Sequence, residues 1–238
     1  MEPEKVVIGD AELWLVDCMD YMRGLPDNVF DLAIVDPPYG IGRDKGFGGF
    51  GGFGEPIARK KYSGEWDDCR PSKAYFLEVQ RVSKEQIIWG GNFFTDHLPQ
   101  GNHWLFWDKK NTMPSFGDGE LAWTSFSRNS VKRYILEYNG LIGRERERIH
   151  PTQKPVKLYE WLLTNYAKPG QRILDTHLGS GSSAIAANNL GYEFVGCEID
   201  VDYFSAACER IENAQRQAPL IPIARAERPT QELIVFGA

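Results

Sequence analysis

Short apolar runs separated by amphipathic segments make up most of the chain. Buried strands are predicted where apolar residues cluster between turn-forming residues, and this pattern occurs six times, at 13–16, 31–35, 86–89, 103–107, 172–174 and 193–196. Apolar positions three or four apart predict helices, and these lie at about 71–82, 156–166, 182–190 and from 202 onward. Strands alternating with helices predict an α/β domain with a mainly parallel sheet, whose binding sites lie beyond the carboxyl ends of its strands.

Three stretches interrupt this alternation. Residues 46–54 repeat glycine with a phenylalanine at every third position, which is typical of a flexible loop. A mixed region over about 110–149 contains strand-like pieces at 121–126 and 131–136 and the charge run RERER. The tail from Pro219 ends in an apolar LIVF. We predict a single domain over 1–238.

Composition excludes several classes of protein. With 42% hydrophobic and 25% charged residues among 238, the chain is globular rather than disordered. No apolar run approaches the ~18 residues of a membrane span, and the N-terminus lacks a signal-peptide pattern, so we expect a cytoplasmic protein with no membrane partner. The four cysteines form no C-x-x-C pair and the four histidines lie far apart, so neither a disulfide framework nor a metal site is expected.

Charge is unevenly distributed along the chain. The net charge of −6 argues against nucleic-acid binding by bulk charge alone. Residues 1–40, however, hold nine acidic and two basic side chains, and 175–238 hold nine and four, so the middle carries +6. A positive middle is compatible with a nucleic-acid substrate and predicts modest nonspecific affinity.

A glycine turn followed by an acid is the first chemical signal. A predicted strand ends at Asp175, a turn with Gly179 and Gly181 starts a helix, and the next strand ends at Glu198. This arrangement suits an adenosine-containing cofactor, because glycines admit the ligand to the helix N-terminus and the later carboxylate binds ribose hydroxyls. A plain tight turn and a nicotinamide dinucleotide are the alternatives. Asp175 favours S-adenosylmethionine, since a carboxylate repels a pyrophosphate but attracts an α-ammonium group.

The second signal is Asp36-Pro37-Pro38-Tyr39 at the end of a buried strand. An exocyclic amine of a base is a poor nucleophile, so a site that methylates it must accept its hydrogens and orient its lone pair. The Asp36 carboxylate and the Pro37 carbonyl supply two such acceptors, and the Tyr39 ring offers a stacking surface for a flipped base. A simple strand-ending turn is the alternative.

Together with the run 150–155 (HPTQKP) and the turn 178–182 (LGSGS), this motif resembles the DNA amino-methyltransferases that modify adenine N6 or cytosine N4. The motif order resembles the permuted beta class. The resemblance implies a doubly wound, Rossmann-like sheet of seven strands with one antiparallel member, in circularly permuted order. It also implies an enzyme from a bacterium or phage, in a restriction-modification setting, and the aspartate in the motif favours adenine N6 over cytosine N4.

The resemblance also implies a set of site residues. The catalytic residues are Asp36, Pro37, Pro38 and Tyr39. The cofactor-binding residues are Asp17, Cys18, Thr152, Lys154, Asp175, His177, Gly179, Ser180, Gly181, Ser182, Glu198 and Ile199. His177 stands where the family commonly has the phenylalanine of Asp-Pro-Phe, so it either stacks on the cofactor or is a plain turn residue.

DNA contacts are expected from two regions, a loop at 41–62 that closes over the flipped base and a small target-recognition insert at about 110–149. Their candidate residues are Arg59, Lys60, Lys61, Arg128, Lys132, Arg133, Arg144, Arg146 and Arg148. A homodimer is expected by the same resemblance. The alternatives left open are cytosine N4 methylation, a non-catalytic DNA-binding subunit, a nicotinamide oxidoreductase, and a methylase of RNA or of a protein amide.

Overall fold

The computed structural model of the chain describes residues 4–41, 69–111, 117–138, 149–150 and 152–217. The strands in this part are β1 (Glu4–Ile8), β2 (Ala11–Leu15), β3 (Phe30–Val35), β4 (Ser83–Trp89), β5 (His103–Asp108), β6 (Gly119–Thr124), β7 (Ser130–Ile135), β8 (Arg172–Asp175) and β9 (Glu193–Glu198). The helices are α1 (Cys18–Arg23), α2 (Lys73–Val82), α3 (Val156–Tyr166), α4 (Ser182–Leu190) and α5 (Val201–Arg216). All six predicted strands and all four predicted helices are confirmed, with ends within two residues of those predicted except at the start of β4, which begins three residues earlier.

The described strands form one sheet in the order β1-β2-β9-β8-β3-β4-β6-β5-β7. Only β1 and β6 run antiparallel to their neighbours, and every other adjacent pair is parallel. The mainly parallel, Rossmann-like sheet is therefore confirmed, but the described part holds nine strands with two antiparallel members rather than seven with one. The strand missed from the sequence is β1, an edge strand that is mostly exposed and so carries no buried run.

The strand-like pieces of the predicted 110–149 insert are β6 and β7, and both belong to the central sheet. β6 lies between β4 and β5, and β7 forms the far edge. Residues 112–116 and 139–148 of the predicted insert lie outside the described residues. The predicted loop at 41–62 lies outside them as well, apart from residue 41, and so does the tail from 218.

Helices cover both faces of the sheet. Because successive side chains of a strand point to opposite faces, Leu32 and Ile34 pack against α3, α4 and α5, whereas Ala33 and Val35 pack against α1 and α2. Buried strands of this kind read as continuous apolar runs, which is why the sequence reveals them. Among the described residues, none of the helices is both long and apolar enough to cross a membrane.

The chain leaves the centre of the sheet in two directions. From β3 it moves outward to β4, and from β8 it moves outward to β9 on the other side. β3 and β8 are parallel neighbours, so the sheet has a topological switch point between their carboxyl ends. Doubly wound sheets bind their ligands in the crevice at such a point.

Gly90 fits the turn after β4 against this crevice. Its backbone is left-handed, with φ of 67°, and a Cβ built on it would lie 2.2 Å from a ring carbon of Tyr39. Glycine is therefore required on two grounds, since a side chain would strain the backbone and would displace the tyrosine ring.

Replacing Gly90 with alanine is expected to lower the free energy of unfolding by about 2 kcal/mol, because a left-handed non-glycine residue costs about 1–2 kcal/mol and the Tyr39 ring must also move. Urea denaturation would measure the loss. The matched control is Gly24→Ala, because Gly24 has φ of −81° and an added Cβ meets nothing closer than 3.8 Å. Equal stability of the two variants would contradict the prediction.

Candidate active site

Two carboxylates lie side by side at the switch point. Leu32 and Ala33 of β3 pair with Ile173 and Leu174 of β8. The same register puts Asp175, at the end of β8, opposite position 34, two residues before Asp36. Parallel pairing of β3 with β8 thus brings together the two acids that the sequence analysis assigned to the amine and to the cofactor.

Asp36 is held on both of its carboxylate oxygens. The Tyr39 hydroxyl donates to Oδ1 at 2.7 Å, and the ammonium group of Lys154 donates to Oδ2. Lys154 Nζ also donates to the Tyr39 hydroxyl oxygen at 3.3 Å, so the three residues form a closed ring. The side chain of Asp36 remains 16% exposed, whereas that of Lys154 is only 4% exposed.

Lys154 has a second carboxylate partner, Glu120 of β6. Its Nζ lies 3.1 Å from Glu120 Oε2, and Lys109, just after β5, donates to Glu120 Oε1. Burial by itself would raise the pKa of Glu120, but Lys154 and Lys109 outweigh it and lower that pKa to about 2. Burial would likewise lower the pKa of Lys154, but Asp36 and Glu120 raise it. Lys109, Glu120, Lys154 and Asp36 therefore form a row of alternating charges.

The residues predicted from the HPTQKP run point to different places. The Thr152 hydroxyl lies 3.1 Å from His150 Nδ1, whereas Lys154 lies on Asp36. The structure thus places Lys154 at the proposed amine acceptor rather than among the proposed cofactor residues.

The Tyr39 ring is fixed by aromatic neighbours that the sequence analysis did not single out. It stacks on Phe93 with ring centroids 5.0 Å apart and an angle of 18°, and it meets Phe94 edge-on at 6.1 Å. Pro37 behind it is buried and Pro38 partly buried. These contacts hold the Asp-Pro-Pro-Tyr turn rigidly against the end of β4.

The glycine turn is closed by Glu198. Gly179 and Gly181 both have left-handed backbone, with φ of 51° and 74°, and the Gly179 N–H donates to Glu198 Oε2 at 2.8 Å. The other carboxylate oxygen accepts the N–H groups of Ile199 at 2.9 Å and Asp200 at 3.0 Å. Burial raises the pKa of Glu198, and these backbone donors counteract it.

Ser180 and Ser182 lie buried within the same turn. Their hydroxyl oxygens are 3.1 Å apart, and Arg210 of α5 donates to the Ser180 carbonyl at 2.6 Å and to Ser182 Oγ at 3.0 Å. These contacts hold the turn against α5.

Asp175 is 1% exposed. Its oxygens accept the His177 N–H at 3.0 Å and the Ser183 hydroxyl at 2.6 Å. Burial raises its pKa to about 7, and the negative charges of Asp36 and Glu198 add to that effect against the two hydrogen bonds. No cationic side chain pairs with it among the residues that the structure describes, in contrast to Asp36.

His177 and its neighbours form a buried polar chain beside Asp175. Thr176 Oγ1 lies 2.6 Å from the Tyr75 hydroxyl and 2.9 Å from His177 Nδ1, and the Tyr75 and His177 rings meet edge-on at 5.3 Å. Burial lowers the pKa of His177 to about 4, so the ring is neutral at physiological pH. Tyr75, from α2, was not predicted at the site.

The remaining predicted cofactor residues lie at neighbouring strand ends. Asp17 follows β2, is exposed, and caps α1 by accepting the Met19 N–H at 2.7 Å. Cys18 is partly buried, and burial raises its pKa to about 12. Ile199, just after β9, exposes 71% of its surface. In the described part of the chain, no group of three or more metal-ligating side chains is placed to hold a metal ion.

Only some predicted DNA contacts can be located. The ones outside the described residues are Arg59, Lys60, Lys61, Arg144, Arg146 and Arg148. Arg128 is exposed and lies over the rings of Phe126 and Tyr166, in the β6–β7 connection. Because β6 is antiparallel to β4, this connection lies at the amino-terminal ends of the parallel strands, whereas Asp36 lies at their carboxyl ends. Lys132 and Arg133 are exposed on the edge strand β7.

Comparison with known proteins shows similarity to DNA methylases. A family model described as DNA methylase matches residues 102–209. Type II methyltransferase M.HpaI of Haemophilus parainfluenzae is 23% identical over 86% of this chain and 75% of its own length. Type II methyltransferase M.HinfI of Haemophilus influenzae is 24% identical over 82% of this chain and 66% of its own length.

Solved structures share the fold. The complex of M1.HpyAVI with SAM is 18% identical, with a TM-score of 0.55 over 84% of this chain and 99% of that one. The cytosine-N4-specific PvuII DNA methyltransferase is 13% identical, with a TM-score of 0.57 over 89% of this chain and 93% of that one.

Replacing Asp175 with asparagine is expected to stabilise the ligand-free chain at pH 8. Because its pKa is raised to about 7 in the folded state, the folded chain holds a proton that the unfolded chain releases from about pH 4 upward. This carboxyl therefore lowers stability progressively from about pH 4 to pH 7 and fully above that range. Asparagine removes the charge, and the Ser183 hydroxyl can rotate to accept a hydrogen bond from the amide group of the asparagine.

We expect a gain of about 1–3 kcal/mol at pH 8 and almost none near pH 4, measured by urea denaturation at both pH values. Asp118→Asn, at an exposed position, is the control. A loss of stability at pH 8 would show that the charged carboxylate is not strained in the folded chain.

Proposed function

From the similarity of the chain to DNA methylases, we propose that it transfers a methyl group from S-adenosylmethionine to N6 of an adenine flipped out of DNA. The observation that carries the proposal is the placement of Asp36 and Asp175 at adjoining strand ends in unlike surroundings. Asp36 is paired with the ammonium group of Lys154 and is partly exposed. Asp175 is buried and has no cationic partner among the described residues.

The surroundings of Asp175 favour a cationic ligand. A buried carboxylate that lacks a cation gains most from a ligand that brings one, and S-adenosylmethionine carries an α-ammonium group. The turn at Gly179 and Gly181 leaves backbone close to that position, with Glu198 and exposed Ile199 next to it. These residues match the methionine, ribose and adenine contacts that we propose, and M1.HpyAVI, a protein of the same fold, has a SAM complex.

The surroundings of Asp36 favour an amine. Its two oxygens are fixed by Tyr39 and Lys154, and the lone pairs left over can accept an N–H of the base, with the Pro37 carbonyl accepting the other. S-adenosylmethionine supplies an electrophilic methyl group when bound. We propose that Asp36 and Pro37 turn the nitrogen lone pair toward that methyl group and that the proton lost from nitrogen leaves through Asp36 to water.

Direct transfer to nitrogen, without a covalent intermediate, agrees with the state of the cysteines. Burial raises the pKa of Cys18 to about 12, that of Cys208 to about 11 and that of Cys197 well above its ordinary value. These thiols are poor nucleophiles at neutral pH, because the reactive form is the thiolate. Covalent catalysis of ring-carbon methylation by any of these three thiols is therefore disfavoured.

We further propose that the loop at 41–62 and the basic residues of the middle region contact DNA, that Lys132 and Arg133 contribute from β7, and that the protein works as a homodimer in the bacterial cytoplasm beside a restriction enzyme. Cytosine N4 is the second candidate target, because a cytosine-N4-specific enzyme shares the fold. A non-catalytic DNA-binding subunit is disfavoured by the intact ring of contacts among Asp36, Tyr39 and Lys154.

Asp36→Ala is expected to lower methyl transfer at least 10²-fold, the usual cost of losing a preorganised electrostatic contact, while S-adenosylmethionine binding stays largely unchanged. Transfer of a tritiated methyl group to unmodified genomic DNA measures the first, and calorimetry with S-adenosylmethionine measures the second. Asp118→Ala, at an exposed position, should match wild type. Activity of Asp36→Ala equal to wild type would refute the mechanism.

The target base is tested separately. DNA methylated by the purified protein is digested to nucleosides and separated by chromatography, and we expect N6-methyladenine as the product because the motif begins with Asp36. N4-methylcytosine alone would refute adenine as the target and leave the amine chemistry standing. Sequencing the same DNA with modification detection would also give the recognition site.

A further inference from the structure

The ammonium group of Lys154 has three oxygens around it. It donates to Asp36 Oδ2 and to the Tyr39 hydroxyl at 3.3 Å, and it lies 3.1 Å from Glu120 Oε2. An ammonium group has three N–H donors and no acceptor. Two of these contacts are hydrogen bonds and the third is an ion pair, so the ammonium group is surrounded by as many oxygens as it has donors, which is typical of a built ion site rather than a chance contact.

The ammonium group of Lys154 lies near two aromatic rings. Nζ lies 5.5 Å from the Trp89 ring centroid and 5.8 Å from that of Tyr39, and the side chain is 4% exposed. A lysine this deeply buried keeps its charge only because carboxylates face it.

Glu120 anchors Lys154 from the side away from Asp36. It is itself paired with Lys109, so Lys154 is held by a carboxylate that is already neutralised. The strand pairing of β4 with β6 and of β6 with β5 sets these positions. The anchor is thus part of the sheet and does not depend on a bound ligand.

We propose that Lys154 is a positioning residue for methyl transfer, which keeps the Asp36 carboxylate ionised and aimed at the target amine. A protonated carboxyl would present a donor where the amine needs an acceptor. Without Lys154, Asp36 would face Glu120 across the vacated space, and protonation of one of the two would follow. The inference rests on the proposed function, and it moves Lys154 from the cofactor to the amine.

The test compares Lys154→Met with wild type in tritiated methyl transfer to unmodified genomic DNA, from about pH 4 to about pH 9. An opposite charge at this distance shifts a carboxyl by about 1–3 pH units. We therefore expect the acid limb of the kcat profile to move upward by about one to two pH units, with activity recovering at high pH. Other charged or titratable groups around Asp36 are the same in both proteins, namely Tyr39, Tyr75, Lys109, Glu120, Tyr159 and Asp175.

Two further proteins control for folding. Lys157→Met removes an exposed lysine of α3 and should behave as wild type. The double variant Lys154→Met with Glu120→Gln removes both charges of the Lys154–Glu120 ion pair and should fold even if the single variant does not. Because the neighbouring carboxylate is gone, its acid limb should move less than that of the single variant.

A loss of kcat that is uniform across pH would overturn the proposal and leave Lys154 a structural residue. Weaker binding of S-adenosylhomocysteine in calorimetry with an unmoved acid limb would overturn it in favour of a cofactor contact.

A second readout does not need activity. In the ligand-free protein, the carboxyl ¹³C signal of Asp36, assigned by its loss in Asp36→Asn, should titrate at higher pH in Lys154→Met than in wild type. If wild-type protein methylates no DNA, the proposed function fails while this titration still decides the role of Lys154. If wild type is active and the signal titrates alike in both proteins, the Lys154 proposal alone fails.

Discussion

Parallel pairing of β3 with β8 is the constraint on which the site depends. It puts the ends of two strands that are 140 residues apart in the chain next to each other, at the point where the connections diverge to opposite halves of the sheet. That pairing places Asp36 and Asp175 at neighbouring strand ends and forms the crevice between them. The neighbouring pairing of β8 with β9 adds Glu198 to the same edge.

The two aspartates are separated in chemistry by their surroundings rather than by residue type. Asp36 faces Lys154 and is partly open, whereas Asp175 is buried and its pKa is raised to about 7 because no described cation offsets that burial. Enzymes commonly divide roles between two carboxylates in this way. A site that binds a cation and also accepts hydrogens from a neutral amine needs one carboxylate of each kind.

Local patterns were sufficient for much of this arrangement. The buried strands β3, β8 and β9 are short apolar runs, and each is closed by an acid, with Asp36 directly after β3 and with Asp175 and Glu198 as the last residues of β8 and β9. The glycines at 179 and 181 announce a left-handed turn. Edge strand β1 was not predicted although it contains the short apolar run Val6-Val7-Ile8, of which only Ile8 is buried in the folded chain. The segments of β6 and β7 were assigned to an insert because their place in the sheet depends on pairing with distant strands.

The electrostatic partners could not be predicted, because they are set by tertiary contacts. Lys154 meets Asp36 across 118 positions of sequence, and Glu120 reaches Lys154 only because β6 enters the sheet antiparallel to β4. Charge along the chain hints at the outcome, since the acidic N-terminal part receives its cation from the positive middle. Asp175 has no such cationic partner among the described residues. A positively charged ligand would be the group that neutralises its charge.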